Sequence, residues 1–442
     1  MDAIPAATAR RPHQGVLRGT SPITVGTPSL LRAINERTVL DLIHRQGPLS
    51  RAQVARVSGL SKPTVSLALT GLLEADLVRE VGRSRGERGP SALLYELNPM
   101  AGWVVGVDIG RKWVRAAIAD IAGTIVARRD EHARVSSAKS LIGQVGAIAR
   151  RLATEAGVQW SQVTHATLGS PGVFDPAHGY VAMAPNLPGW GRTGLVQAVR
   201  EELGTNVSFE NDVNLAALAE RTHGLGRNVH NFVFLSIGTG IGMALMIDGH
   251  LYRGAHGAAG EVAYMPIGKG DPRDPSNRRR GAFEEAAAAA GIVRTARRLG
   301  MRPPLTPERI FIAARRGNGV AARVVQSEAA MLSLAIATVT PVLDPELVIL
   351  GGGIGRNGDL LVEPIERELR QLMPFRPRIA VSALGEDAVL RGAVATALEI
   401  ARDHVFARQP ARHAQKAAVW GHADLGWTSR TRGMIGHSGG KL

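Results

Sequence analysis

The chain has 442 residues, 45% of them hydrophobic, with a formal net charge of +15 and no cysteine. That length predicts more than one domain, and the missing cysteine excludes disulfides, thiolate catalysis and any cysteine-liganded zinc. The basic balance favours a polyanionic partner without naming one.

Residues 1–29 hold much Ala, Arg, Pro and Thr and read as a flexible basic arm without the apolar run of a signal peptide. A first helix is predicted over Ile34 to Gln46, with Val39, Leu42 and Ile43 on one face and Gly47-Pro48 as its stop. Ser50 can cap a second helix reaching about Ser58, with Val54, Ala55 and Val57 inward. Gly59 then supplies a tight turn and Leu60 fills the core beside it. Ser61 caps a third helix, with Pro63 near its start, where a missing N–H costs little. Val65, Leu69, Leu72 and Leu73 recur at helical spacing and bury that helix against the first two.

This order turns the first turn of the third helix outward, with Ser61, Lys62, Thr64 and Ser66 available to a DNA major groove. Two strands are predicted next, Leu77 to Val81 and Leu93 to Leu97. Between them Gly82 to Pro90 forms a short basic wing, and its Arg83, Arg85 and Arg88 suit phosphate or minor-groove contact. A three-helix module that docks protein would share the helical pattern. The basic wing decides for double-stranded DNA, and residues 30–98 are read as a winged helix-turn-helix.

From Trp103 to about Arg402 the texture changes to apolar strands ending in glycine turns, alternating with Ala-rich helices, which is an α/β pattern. Asp108-Ile109-Gly110 follows one strand, Gly238-Thr239-Gly240 another, and Gly351-Gly352-Gly353 a third. A carboxylate with a glycine turn at a strand end can hold Mg²⁺ and let a phosphate approach backbone N–H groups. Each turn alone is most often only a turn; together they describe a cleft lined by strand ends. The first two hint at a duplicated lobe, the second beginning near Phe232. The apolar stretch Leu332 to Leu350 is broken by Pro341, Asp344 and Glu346, so no membrane span is expected, and the location is read as cytoplasmic. Residues 403–442 are basic, lack a sustained apolar period and read as a disordered tail.

Seven stretches occur in order: Asp108-Ile109-Gly110; Gly169-Ser170-Pro171-Gly172-Val173; Pro185-Asn186-Leu187-Pro188-Gly189-Trp190; Glu210-Asn211-Asp212-Val213-Asn214; Gly238 to Gly242; Gly254 to Val262; and Gly351-Gly352-Gly353. On this set the chain resembles the ROK family of repressors, open reading frames and sugar kinases, over roughly Glu36 to Ala401. The resemblance implies a multidomain α+β chain: an N-terminal winged helix-turn-helix followed, over residues 99–402, by a two-lobed α/β actin-like ATPase domain. It implies that Asp212 matches the general base of the kinases. It also implies that Asn186, Asn211, Glu261 and Glu284 hydrogen-bond a sugar, while Asp108, Gly110, Gly238, Thr239 and Gly240 line the nucleotide-phosphate side. A polyol needs several fixed carboxylates and amides, because buried hydroxyls left unpaired are costly. Taken by itself, an Asn-Asp pair is more often a turn or a helix cap.

The chain departs from the family pattern twice. Arg111 and Lys112 stand where the kinases carry a second glycine and a threonine, and their bulk crowds the backbone approach to a triphosphate. Tyr264 stands where the family has a zinc-binding histidine that also touches the sugar, and no cysteines follow. The charged loop Asp271 to Arg280 is read as a solvated hairpin in place of the zinc knuckle. The expected protein is therefore a regulator without a metal or other cofactor, dimeric or a higher homo-oligomer. It binds an operator and a small carbohydrate effector, and it represses carbohydrate-metabolism genes. The alternatives are a sugar kinase fused to a DNA-binding domain, using ATP and Mg²⁺, and a regulator whose cleft is vestigial.

Overall fold

The computed structural model describes residues 28–84, 91–175, 180–182, 187–268, 271 and 273–407. They gather into two compact units, residues 28–74 with 80–96 and residues 75–79 with 97–407. Arg85, Arg88, Asn186 and the terminal arm and tail readings lie outside the described residues.

In the first unit α1 spans Pro28–Gln46, α2 Arg51–Ser58 and α3 Lys62–Glu74. A three-stranded sheet, order β1-β3-β2, joins β1 (Leu49–Ser50), β2 (Val78–Arg83) and β3 (Leu93–Leu97). The first helix thus begins at Pro28 rather than Ile34, as suits a residue whose ring tolerates the first helical turn. Ser50 caps α2 in a full capping box, its Oγ accepting from Gln53 N while Gln53 Oε1 accepts from Ser50 N. Gly59 closes α2 in the left-handed conformation at φ 71°. Val54 is fully buried, but Val57 is 47% exposed, against expectation. Among the eight residues of α2 Val54 alone is buried.

The second unit carries two five-stranded sheets. The first contains β4 (Trp103–Ile109), β5 (Trp113–Asp120), β6 (Ile125–His132), β7 (Val163–Ser170) and β10 (Asn206–Asn211), in the order β10-β7-β4-β5-β6. Beside it lies a small hairpin of β8 (Val173–Asp175) and β9 (Tyr180–Ala182). The other sheet contains β11 (Phe232–Ile237), β12 (Ile241–Ile247), β13 (His250–Tyr252), β14 (Leu347–Gly351) and β15 (Arg378–Val381), in the order β13-β12-β11-β14-β15. In each sheet the first three strands pair antiparallel and the last two add in parallel on the other side of the first strand. The hint of duplication is thus a repeated topology.

Along β11, Phe232 and Phe234 join one apolar cluster while Val233, Leu235 and Ile237 join another. Successive side chains of a strand point to opposite faces, so this strand is buried on both. Two helices, Asp212–His223 and Ala388–Ala407, pack on each other, and the second also packs on β4 and β7. The last helix therefore returns to the first lobe and runs to Ala407, beyond the expected limit at Arg402. Its Gly392 is obligatory, since a Cβ there would overlap the carbonyl of Leu215.

One helix among the described residues, Gly319–Leu343, has the length and apolar composition to cross a membrane, which the sequence reading had excluded. Pro341 falls in its last turn and Asp344 only caps its end, so neither divides it. Half of its apolar window is buried, and its inward face enters the core of the second lobe.

Candidate functional site

The cleft is built from strand ends. β10 ends in Glu210 and Asn211, and Asp212 opens the following helix. Asn211 is that helix's N-cap: its Oδ1 accepts from Val213 N at 2.9 Å and Asn214 N at 3.2 Å, and its Nδ2 donates to Gly172 O at 3.0 Å. The cap reading and the ligand reading thus meet in one residue, which keeps one amide N–H to offer.

Four carboxylates share this neighbourhood. Burial pushes Asp108 up to about 7, the charge of Asp212 adds to the rise, and the Arg115 guanidinium opposes it. Burial also raises Asp212. Glu261 is raised by burial, then by the charges of Asp212 and Glu284. Burial raises the Tyr264 phenol too, reinforced by Glu261 and Glu284. Several carboxylates gathered in one place can accept hydrogen bonds from several hydroxyls at once.

Glu284 joins the carboxylate group to the glycine turn. Its Oε2 accepts from Ile241 N at 3.2 Å, and a Cβ on Gly240 would stand 2.7 Å from that oxygen. Gly238 N donates to Gly240 O at 2.9 Å, closing the turn, and Thr239 is exposed. A Cβ on Gly238 would meet only Gly353 N, at 3.9 Å, and one on Gly353 nothing within 4 Å. The two glycine turns of the second lobe therefore border free space. On the first lobe Gly110 N donates to Trp113 O at 2.9 Å, and Arg111 and Lys112 stand exposed in that turn.

The loop read as a solvated hairpin is a short helix, Pro275–Arg280, with Pro275 in its first turn. Asn277 Nδ2 donates back to Asp271 O at 2.8 Å, and Arg280 at the helix end reaches Glu284 at 3.3 Å and Glu285 at 3.4 Å on the next helix. Tyr264 is 43% exposed, its hydroxyl donating to Arg279 O at 3.5 Å. Tyr264 puts a phenol at the histidine position and the chain has no cysteine, so these side chains do not fit the family's zinc.

Sequence reasoning assigned no role to Glu210, Asn214, Arg253 or Arg115. Glu210 Oε1 accepts from Asn211 N at 2.9 Å and Asn214 Nδ2 at 2.8 Å, while Oε2 takes Arg253 Nε at 2.8 Å and Nη2 at 2.6 Å. Glu210 and Asn214 lie inside one of the ordered motifs and Arg253 immediately before another, which is the only sequence signal they carry.

On the DNA-binding unit, Ser61 Oγ accepts from Thr64 N at 3.2 Å and shares a hydrogen bond with Thr64 Oγ1 at 2.8 Å. Both hydroxyls thus serve the helix end, Ser66 is half-buried, and Lys62 is exposed at the first turn. Arg83 ends β2 as an exposed side chain, its Nη1 donating to Ser91 Oγ at 3.5 Å.

A winged helix-turn-helix followed by a doubled actin-like domain with strand-end glycine turns defines a two-part chain with a sugar-kinase fold. The chain belongs to the ROK family, whose sequence pattern it matches over residues 104–400. It is 26% identical over 388 residues to the xylose repressor of Caldicellulosiruptor bescii, covering 84% of this chain and 97% of that one. It is 30% identical over 312 residues to the glucokinase of Thermotoga maritima, covering 66% of this chain and 95% of that one. A solved ROK transcriptional regulator, a homologue of the E. coli MLC protein, superposes with a TM-score of 0.72. It has 23% identity and covers 86% of this chain and 98% of the other, which shows the shared fold.

Proposed function

We propose that the protein is a carbohydrate-responsive transcriptional repressor. The observation that carries this reading is one chain holding both a capped helix-turn-helix with an exposed Lys62 and a cleft where Asp212, Glu261 and Glu284 converge. Among its relatives, one that is a repressor aligns along both parts, and one that is a glucokinase aligns over a shorter stretch. The winged unit binds operator DNA as part of a homodimer, which presents two recognition helices to two half-sites. A sugar in the cleft binds one lobe arrangement more tightly than the other and so changes the affinity for DNA. Such a regulator acts in the compartment that holds the chromosome and needs neither zinc nor ATP. The test is release of DNA: purified full-length protein is bound to the DNA upstream of its own transcription unit and titrated with a pentose and hexose panel including D-xylose. Release or tightening by one sugar, abolished in Glu261→Gln, is the expected result; indifference of the wild type to the whole panel sinks it.

The second reading is a sugar kinase fused to a DNA-binding unit. Asp108 near the end of β4 and Asp212 just after β10, two strands away in the same sheet, favour it, while Arg111 and Lys112 oppose it through bulk at the first turn. A coupled assay with ATP, Mg²⁺ and D-glucose separates the two. No turnover is expected; robust turnover lost in Asp212→Asn would establish the kinase.

A further inference from the structure

Arg253 stands where two lobes meet one frame. It directly follows β13 at the edge of the second lobe's sheet, yet its guanidinium lies on Glu210 in β10 of the first lobe's sheet. Glu210 is buried, and its other oxygen is filled by Asn211 N and Asn214 Nδ2. Those two residues, with the bond from Asn211 to Gly172 O, fix the helix end that carries Asp212.

The backbone of Arg253 has a second task. Its carbonyl accepts from Ala259 N at 3.1 Å, closing the loop that ends at Glu261. That loop is held tightly on both sides. A Cβ on Gly260 would overlap the carbonyl of Met243, and one on Gly257 would stand 3.1 Å from Phe174 O in the first lobe's hairpin. Asp212 from the first lobe and Glu261 from the second therefore follow, in sequence, the two ends of one ion pair.

We propose that Arg253 is a positioning residue that sets Glu261 against Asp212, so that carbohydrate affinity and the coupling of the two lobes run through its guanidinium. This rests on the reading of the cleft as a carbohydrate site. The pair is bidentate at a single oxygen, which a planar guanidinium satisfies and a lysine only partly reproduces. A surface ion pair of no consequence would leave both loops as they are when Arg253 is removed.

The test uses full-length protein as wild type, Arg253→Met, Arg253→Lys and Glu210→Gln. Amide exchange is followed by mass spectrometry without ligand, alongside calorimetric titration with D-xylose and with D-glucose. Arg253→Met speeds exchange in both 208–216 and 254–262 while 232–237 stays protected, and Arg253→Lys restores part of that protection. Affinity for whichever sugar binds falls about tenfold or more, the cost of losing a charge-assisted pair at the site. Faster exchange in 254–262 alone, or unchanged affinity in Arg253→Met, overturns the proposal. If wild type binds neither sugar, the carbohydrate reading fails for those probes, and the exchange of the two segments still decides whether Arg253 couples them.

Discussion

Arg115 Nη1 donates to Asp108 Oδ2 at 3.2 Å, and the two residues are direct partners across β5 and β4. The same guanidinium reaches Glu386 at 2.9 Å, and Glu386 in turn lies 3.5 Å from Arg356 beside the second lobe's glycine turn. Asp108 is buried, so its charge is tolerated only because this cation stands against it, and even so its pKa lies at about 7.

That raised value makes stability depend on pH with a definite sign. Between the ordinary carboxylate range and about 7 the folded protein holds a proton on Asp108 that the unfolded chain has released. Stability therefore falls as pH rises through this window and levels off above it. Asp108→Asn, uncharged throughout, is expected to gain on wild type as pH rises, by at most about 4 kcal/mol for a shift of this size. Thermal melts from pH 5 to 8 check this; parallel curves for the two proteins would contradict it.

Lys62→Ala and Arg83→Ala should each weaken DNA binding and lower the slope of log affinity against log salt by about one, the signature of one lost phosphate contact. Glu261→Ala should leave that slope unchanged without sugar. Anisotropy titrations on duplex DNA between low and moderate salt measure it, and a normal slope in both cation variants would remove these residues from the interface.

Gly240→Ala places a methyl group 2.7 Å from Glu284 Oε2 and must displace that carboxylate from Ile241 N. Gly240 has no positive φ, so the fold should survive with little change in melting temperature. Sugar binding is expected to drop well beyond any loss of stability. Equal affinity in the variant and the wild type, by calorimetry, would show that Glu284 plays no part.

Ser50→Ala removes the reciprocal capping box of α2 and should cost about 1 kcal/mol in the DNA-binding unit. Exchange protection across 51–74 should fall while β11 keeps its own. A uniform change through the whole chain would mean that the two units unfold together.

Much of this architecture is legible because its signals are local. Ser50, Gly59 and Ser61 announce their helices through their own backbone geometry, and β11 announces itself by a short apolar run before Gly238. The ordered motifs likewise locate Asp108, Asp212 and Glu261, because each sits at or next to an element end that the chain must punctuate. What escaped is non-local. Glu210 and Arg253 lie 43 positions apart, and their pairing depends on where two sheets are set. Val57 has the right period to be buried, yet about half of it stays exposed, which depends on neighbours its own helix does not specify. The short helix Pro275–Arg280 ends on ion pairs to Glu284 and Glu285, which a reading of the charged loop alone does not include.

The closing helix Ala388–Ala407 has a consequence for how the protein is made. It lies on β4 and β7, strands that leave the ribosome long before it does, and a Cβ on Gly106 of β4 would stand 2.6 Å from its Val394 side chain. Until that helix emerges, one face of the first lobe has no cover and is exposed to aggregation. Synthesis that stops short of Ala388 leaves an incomplete first lobe, however well its own strands have paired. Completion of the second unit therefore waits until residues 388–407 have been made, and a chain that stops before Ala388 but carries an intact first unit would be a target for proteolysis rather than a free-running repressor.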